Sequence, residues 1–114
     1  MLVKVEAISI EGGDTLSRLG GEMSSVPHIV GYQCGGTVVA VGDGMTRFEV
    51  GDRVVTTGLD GSHAELRVTP EGLCWKIPEA LSTVEGACVP ATASRDDKLE
   101  RLAEFGLDVG INYV

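Results

Sequence analysis

Cysteine and histidine are the side chains of this sequence best suited to metal binding or thiol chemistry. Cys34, Cys74 and Cys88 are odd in number and widely spaced, which favours neither a disulfide framework nor a zinc knuckle. No base or cation adjoins Cys34 in the sequence, so nothing marks this thiol as a nucleophile. His28 and His63 lie far apart and are expected at the surface or in loops. We therefore expect reduced thiols in a cytoplasmic protein.

The composition narrows the fold class and the possible partners. A chain of 114 residues that is 43% hydrophobic is long enough for one domain with a core. A formal net charge of -8 argues against a nucleic-acid partner, because such binding depends on Lys and Arg neutralising phosphates. The first ten residues alternate polar and apolar, and no apolar run approaches the roughly 20 residues that cross a bilayer. We expect neither a signal peptide nor a membrane segment.

The stretch from Pro27 to Val55 has the strongest β pattern in the chain. Gly35-Gly36 precede an apolar run at 37–41, which predicts a strand buried on most of its surface. Gly42-Asp43-Gly44 then supplies a turn, and Arg53–Thr57 resumes the β pattern. Two strands joined by a loop and entered through a double glycine predict a sheet that bends, as at the corner of a small barrel.

Further elements are predicted on both sides of this stretch. Residues 2–10 alternate as a strand, and Asp14 can cap a short helix that runs to Leu19. Residues 62–68 alternate strictly, which predicts a strand with one covered face. Its apolar face carries Ala64, Leu66 and Val68, and its polar face carries His63, Glu65 and Arg67.

The residue pattern changes in the last part of the chain, where short strands and helices are predicted. A strand is predicted at 73–77, and Ser82 or Thr83 can cap a short helix that carries Val84, Ala87 and Cys88. After Pro90, the pattern predicts a brief strand at 91–93, a capped helix up to Phe105 and a strand at 109–114.

Together these motifs resemble the catalytic, GroES-like domain of the medium-chain dehydrogenase/reductases, closest to their zinc-independent, quinone oxidoreductase-like branch. The resemblance covers most of residues 2–90, and its most specific part is G-x-V-x-x-V-G at 36–42 followed by V-G-D-R-V at 50–54. It implies a mainly β fold, a GroES-like partly open barrel, in residues 1–90. Residues 91–114 resemble a strand-helix-strand remnant of a Rossmann-type nucleotide-binding domain.

One departure from the family concerns its cofactor. The family has a first Rossmann strand, a glycine-rich turn and a helix between the segments that meet here at Pro90 and Ala91, and this chain lacks them. The resemblance places Ser94, Arg95 and Lys98 near the adenosine ribose, where an Arg can pair with a 2'-phosphate and thus implies NADP. The alternative is that Ser94 only caps the helix and Arg95 is solvated.

Another departure concerns zinc and the substrate side. Glu11 stands where zinc-dependent members have a ligand Cys, and Gly31-Tyr32-Gln33 replaces their G-H-E triplet, so a metal-free site is expected. By position, the resemblance assigns Glu11, Asp14, Tyr32 and Gln33 to the cleft that orients the substrate. Tyr32 and Gln33 can donate hydrogen bonds to a developing enolate. The alternative is a packed Tyr32 ring, with the other three residues serving in turns and caps.

Two hypotheses about function follow. The chain derives from an NADPH-dependent, zinc-independent oxidoreductase that transfers hydride to a small quinone or conjugated carbonyl, and is inactive as an isolated chain. Alternatively, it is a non-catalytic β-barrel module that binds a partner or itself, with a homodimer formed through exposed sheet edges.

Overall fold

Five antiparallel strands form the main sheet of the computed structural model, which describes residues 1–23, 25–87, 92–93 and 111–112. Their order across the sheet is β4-β1-β2-β3-β5. Because β4 and β5 are not paired with each other, the sheet stays open, which confirms the mainly β, partly open architecture. The strands are β1 (Leu2–Ile8), β2 (Gln33–Ala40), β3 (Arg53–Thr57), β4 (Leu66–Val68) and β5 (Cys74–Lys76).

Two helices of the described part of the chain accompany the sheet, α1 (Gly12–Gly20) and α2 (Thr83–Ala87), with a 3-10 turn at Glu71–Leu73. Helix α2 packs against β1, β2 and β3. Of the two predicted caps, Ser82 is the one used: its Oγ accepts the N–H of Glu85 at 3.2 Å, and its own N–H donates to the Glu85 carboxylate at 2.8 Å. In the described part of the chain, neither helix has the length and apolarity that a bilayer crossing demands.

A separate pair of short strands lies near the C-terminus, β6 (Thr92–Ala93) and β7 (Ile111–Asn112), and the two pair in parallel. They fall inside the strands predicted at 91–93 and 109–114. Parallel neighbours need a crossover between them, as in a βαβ unit. The helix predicted in that crossover lies outside the described residues, and the division into domains at residue 90 stays a prediction.

The core of the sheet is small and mainly aliphatic. Val3, Val38 and Val54 are completely buried and come from the three central strands. On β1, Val3 is buried, Val5 and Ala7 are half-buried, and Lys4 and Glu6 are exposed, which agrees with the predicted alternation. The cluster around these strands also contains Met1, Phe48 and Cys74.

The double glycine lies inside a strand, so the predicted start of β2 is wrong. The strand begins at Gln33, and a Cβ built on Gly36 would lie 2.1 Å from the carbonyl oxygen of Lys4 on β1. Glycine is therefore needed for the close approach of β1 and β2, whose pairing shifts register twice. The predicted burial of 37–41 is also wrong, because Val38 is buried while Val39 and Val41 on the uncovered side are 40% and 41% exposed.

The orientation of β4 is the reverse of the predicted one. Arg67 is only 6% exposed, whereas Leu66 and Val68 are 53% and 81% exposed. The interior offers the guanidinium several oxygen acceptors, whereas no described strand covers the outer side of this edge strand. The polar side chain consequently points inward and the apolar ones outward.

Candidate functional site

Asp14 connects the start of α1 to the start of β2. Its Oδ2 accepts the N–H of Glu11 at 2.8 Å, and its Oδ1 accepts the N–H of Tyr32 at 3.0 Å. The side chain is only 2% exposed. The N-cap of α1 is Glu11 and not Asp14, but Asp14, the third residue of the helix, does cap its start by accepting the N–H of Glu11 in a capping box. Two charge-assisted hydrogen bonds to backbone amides fix this carboxylate.

The ring of Tyr32 lies against the first turn of α1. A Cβ built on Gly13 would lie 2.4 Å from Cε2 of the ring, so the ring occupies the space that a side chain at Gly13 would need. The N–H of Tyr32 donates to Asp14, and its carbonyl accepts from Nη1 of Arg67 at 3.2 Å. The residue is half-buried and its backbone is held at both ends. The ring position is thus set by the glycine and by two buried charged side chains.

Gln33 and Glu11 use their polar atoms within the protein. Gln33 is 8% exposed, and its Nε2 donates to the carbonyl of Ala87 at the end of α2. The half-buried carboxylate of Glu11 accepts from the Ser9 hydroxyl at 3.0 Å. The structure therefore brings Glu11, Asp14 and Tyr32 together at the start of α1, while the amide of Gln33 is directed towards α2.

His63 joins this cluster, which the sequence did not suggest. Its Nε2 lies 3.8 Å from Oδ2 of Asp14 and 3.3 Å from the carbonyl oxygen of Ser9. Gly31 has a φ of +111°, and a Cβ there would lie 2.3 Å from the imidazole ring. Only glycine combines that backbone with that contact. No local pattern around His63 marks it, because its partners are distant in sequence.

Arg67 forms a second polar cluster in the sheet interior. Its Nη1 donates to Oγ1 of Thr56 at 2.7 Å, and its Nη2 donates to the carbonyl of Asp60 at 2.8 Å. The Sγ of Cys34 lies 3.1 Å from the same Thr56 oxygen. Burial raises the pKa of the nearby Cys74 thiol, while a contact with the Thr69 hydroxyl and the charge of Arg67 act against that rise. Cys34 and Cys74 are fully buried, and neither forms a disulfide.

Within the described residues, no site is suited to bind a dinucleotide phosphate. The sequence contains no G-x-G-x-x-G motif. The N-terminus of α1 carries the carboxylates of Glu11 and Asp14, which repel an anion. The glycines with positive φ, at 31, 44, 51 and 61, lie in turns that do not open a described helix. The predicted cofactor contacts Ser94, Arg95 and Lys98 lie outside the described residues. The residues that the structure describes therefore do not fit the pyrophosphate.

Within the described ranges, no group of three or more His, Cys, Asp or Glu side chains is arranged to hold a metal ion. The expectation of a metal-free site stays a prediction.

Comparison with known proteins decides the family. The family model of the alcohol dehydrogenase GroES-like domain matches residues 1–79 of the sequence. The chain belongs to the medium-chain dehydrogenase/reductase superfamily. This assignment confirms the resemblance deduced from the two glycine-valine motifs, and the match ends before the parallel strands β6 and β7.

Curated relatives of this GroES-like domain include named reductases and dehydrogenase-like proteins. A trans-enoyl reductase of Fusarium mangiferae is 38% identical over 88 residues, which are 77% of this chain and 23% of that protein. A zinc-type alcohol dehydrogenase-like protein of Staphylococcus aureus is 35% identical over 95 residues, which are 81% of this chain and 28% of that protein. The chain thus spans less than a third of the length of these relatives.

Solved structures that resemble this chain include two quinone oxidoreductases. A quinone oxidoreductase of Pseudomonas syringae is 38% identical with a TM-score of 0.68, over 75% of this chain and 27% of that one. The quinone oxidoreductase of Escherichia coli, complexed with NADPH, is 27% identical with a TM-score of 0.71, over 93% of this chain and 32% of that one. This chain again corresponds to less than a third of either protein.

Proposed function

We propose that residues 1–87 form the substrate-side wall of an NADPH-dependent, zinc-independent reductase for small quinones or conjugated carbonyls. The 114-residue chain does not by itself transfer hydride. The observation that carries this proposal is the fixed Tyr32 ring at the start of α1, in a domain shared with quinone oxidoreductases and an enoyl reductase. The poor fit of the chain to a pyrophosphate supports the second part.

The proposal gives the candidate residues different roles. Tyr32 is the catalytic candidate, because its ring is half-buried and its hydroxyl is a donor suited to a developing enolate oxygen. Asp14 and Gln33 are positioning residues, because their polar atoms already bind the backbone at Tyr32 and Ala87. Glu11 lines the same corner through its contact with Ser9. Nicotinamide chemistry would come from NADPH held by other parts of a complete enzyme.

Titration of the isolated chain with NADPH, followed by nicotinamide fluorescence, tests the claim that the chain alone is inactive. We expect no saturable binding in the micromolar range and no NADPH oxidation when duroquinone is added. Arg95→Ala removes the predicted partner of the 2'-phosphate. Because the chain is not expected to bind NADPH, the titration should be flat for both the wild type and this variant. Saturable micromolar binding that Arg95→Ala weakens would refute the claim and would assign the cofactor to this chain.

Binding of duroquinone without NADPH tests whether residues 1–87 form the substrate-side wall. We expect its addition to shift the backbone amide signals of Gly13 and Tyr32 in a nitrogen-proton correlation spectrum. Tyr32→Phe removes the hydroxyl and keeps the ring, so affinity should fall about fivefold, as for one neutral hydrogen bond. Trp75→Phe on β5, where the side chain is 49% exposed, is the matched control and should change nothing. Shifts centred on other residues, or unchanged affinity in Tyr32→Phe, would contradict the assignment.

The open sheet supports one other function, a self-associating module. Residues at 65 and 69 on the inner edge of β4 bond to β1, so the backbone groups of Leu66 and Val68 point to the open edge. Both side chains are also exposed. Such an edge can pair with a second copy of itself. Light scattering at high protein concentration tests this homodimer, and a strictly monomeric mass would exclude it.

We also propose a cytoplasmic location for the chain. Two of its thiols, Cys34 and Cys74, are free and buried among the described residues, which suits a reducing compartment. Attachment of a fluorescent protein and imaging would test the location directly.

A further inference from the structure

Arg67 presents a buried positive charge that is only partly compensated. Arg67 is only 6% exposed, yet it forms no ion pair with a described carboxylate. The acceptors around it are the neutral oxygens of Tyr32, Thr56 and Asp60 and the sulfur of Cys34. A buried guanidinium is usually paired with an anion, because desolvation of an unpaired charge is costly.

A cavity of about 330 Å³ lies beside this arginine. Arg67 lines it, together with Asp60 and the threonines at 57 and 69. The rest of its wall is aliphatic or glycine, and includes Ile29 and Leu73 from outside β4. Such a volume is typical of small-ligand sites, and the combination of apolar walls with few polar groups is typical too. The wall residues are contributed by β4 and the segments that flank the open side of the sheet.

We propose that this cavity binds a small aliphatic monocarboxylate, with the carboxylate paired to Arg67 and the hydrocarbon tail against Ile29 and Leu73. The guanidinium has more N–H donors than its described acceptors use, so it can donate to a bound anion without losing its present contacts. The Arg67 guanidinium is itself shielded from water, and pairing with a shielded charge is stronger than at a surface. The site is separate from the Tyr32 cluster, and its failure would leave the proposed reductase function untouched.

Asp60 sets the selectivity of this site. Asp60 lines the same cavity and keeps interactions of its own. One carboxylate on the ligand can pair with Arg67, whereas a second would meet the Asp60 carboxylate at short range. We therefore expect monocarboxylates with a short apolar tail to bind and dicarboxylates of similar size to be rejected.

Isovalerate is the probe for the test, added to the full chain while backbone amide signals are recorded. We expect saturable shifts at Gly61, Arg67 and Thr69 in the millimolar range. Isovaleramide has the same shape without the charge and should bind at least about tenfold more weakly, and succinate should not bind. Equal shifts with isovaleramide, or no saturation with isovalerate, would overturn the proposal.

Charge changes at Val68 make the test independent of any folding defect at Arg67. Val68 is 81% exposed and lines the cavity, so Val68→Glu should weaken isovalerate about tenfold and Val68→Lys should strengthen it. Val50→Glu and Val50→Lys are matched controls at a 61% exposed site outside the cavity wall, and should leave affinity within twofold. Arg67→Met should abolish binding. Affinity that does not follow the sign of the charge at Val68 would exclude the site.

Discussion

The carboxylate of Asp14 accepts the backbone N–H of Tyr32 at 3.0 Å, although the two residues are 18 positions apart. This bond joins the first turn of α1 to the entry of β2. The same carboxylate holds the N–H of Glu11 at 2.8 Å, so one buried side chain fixes two backbone segments. The Tyr32 ring thereby has a defined place against Gly13 before any ligand arrives.

Replacement of Asp14 by Asn should destabilise the fold. Asn offers one carbonyl oxygen and an amide donor where two backbone N–H groups need acceptors, so one amide loses its partner. We expect a loss of about 1–3 kcal/mol in the free energy of unfolding, measured by urea denaturation. Asp43→Asn, at an exposed position in a turn, is the control and should stay within about 0.5 kcal/mol of wild type. Equal stabilities for the two variants would show that the Asp14 bonds contribute nothing.

Thr56→Val should also destabilise, although valine favours strands and is more apolar. The hydroxyl of Thr56 accepts the shortest hydrogen bond of Arg67, at 2.7 Å, and is fully buried. Without it, the interior guanidinium loses an oxygen acceptor, at a cost of about 1–3 kcal/mol by thermal or urea unfolding. Thr57→Val is the neighbouring control on the other face of β3, where a change near zero is expected. A stabilised Thr56→Val protein would mean that Arg67 does not depend on this hydroxyl.

Gly36→Ala should be among the most damaging single changes in the chain. The added methyl group would lie 2.1 Å from the Lys4 carbonyl oxygen, which is backbone and cannot rotate away. We expect a loss of about 3 kcal/mol, the upper end of the range for overpacking, because β1 and β2 must separate. Gly72→Ala meets no atom within 4 Å and should be tolerated. Comparable unfolding midpoints for the two variants would rule out the close approach.

Cys34 and Cys74 should resist thiol reagents in the folded protein. Both are fully buried, and burial raises the pKa of the Cys74 thiol, which lowers its thiolate fraction. In a Cys88→Ser variant, Ellman's reagent should react on the order of 100-fold more slowly under native conditions than in denaturing guanidinium. Fast native reaction of either thiol would indicate frequent opening of the sheet around β2 or β5.

The stability of the protein should fall in acid partly through Asp52. The N–H of Glu49 at 3.0 Å and then the Lys76 ammonium at 3.1 Å lower the pKa of Asp52 below its usual value. Because the folded pKa is depressed, the stabilisation is present above the unfolded pKa of about 4 and is lost as pH falls through the folded value. Asp52→Asn should therefore show a smaller loss of stability below about pH 4 than wild type. Glu79→Gln, at an exposed position, should follow the wild-type curve.

Local patterns predicted several elements correctly. The bounds of β3 at Arg53–Thr57 and the cap at Ser82 follow from residues adjacent in sequence, such as the turn at Gly51 and the carboxylate of Glu85. The glycine-valine motifs also identified the family, because their types and separation are specific.

Other features depend on contacts that sequence spacing does not contain. Alternation around Arg67 separates two faces of β4 but does not say which one is covered, and the interior acceptors reverse the usual choice. The place of Gly36 depends on a carbonyl of β1, and that of His63 on a carboxylate of α1. Each case is decided by a partner far along the chain.

The inward position of Arg67 changes how the open edge of the sheet can move. A three-residue edge strand would normally fray and exchange its amides independently of the core. Here β4 is joined through one guanidinium to Tyr32 at the entry of β2, to β3 and to the carbonyl of Asp60. Separation of β4 from the sheet would therefore disrupt all three attachments at once, which makes the edge part of the same cooperative unit as the core.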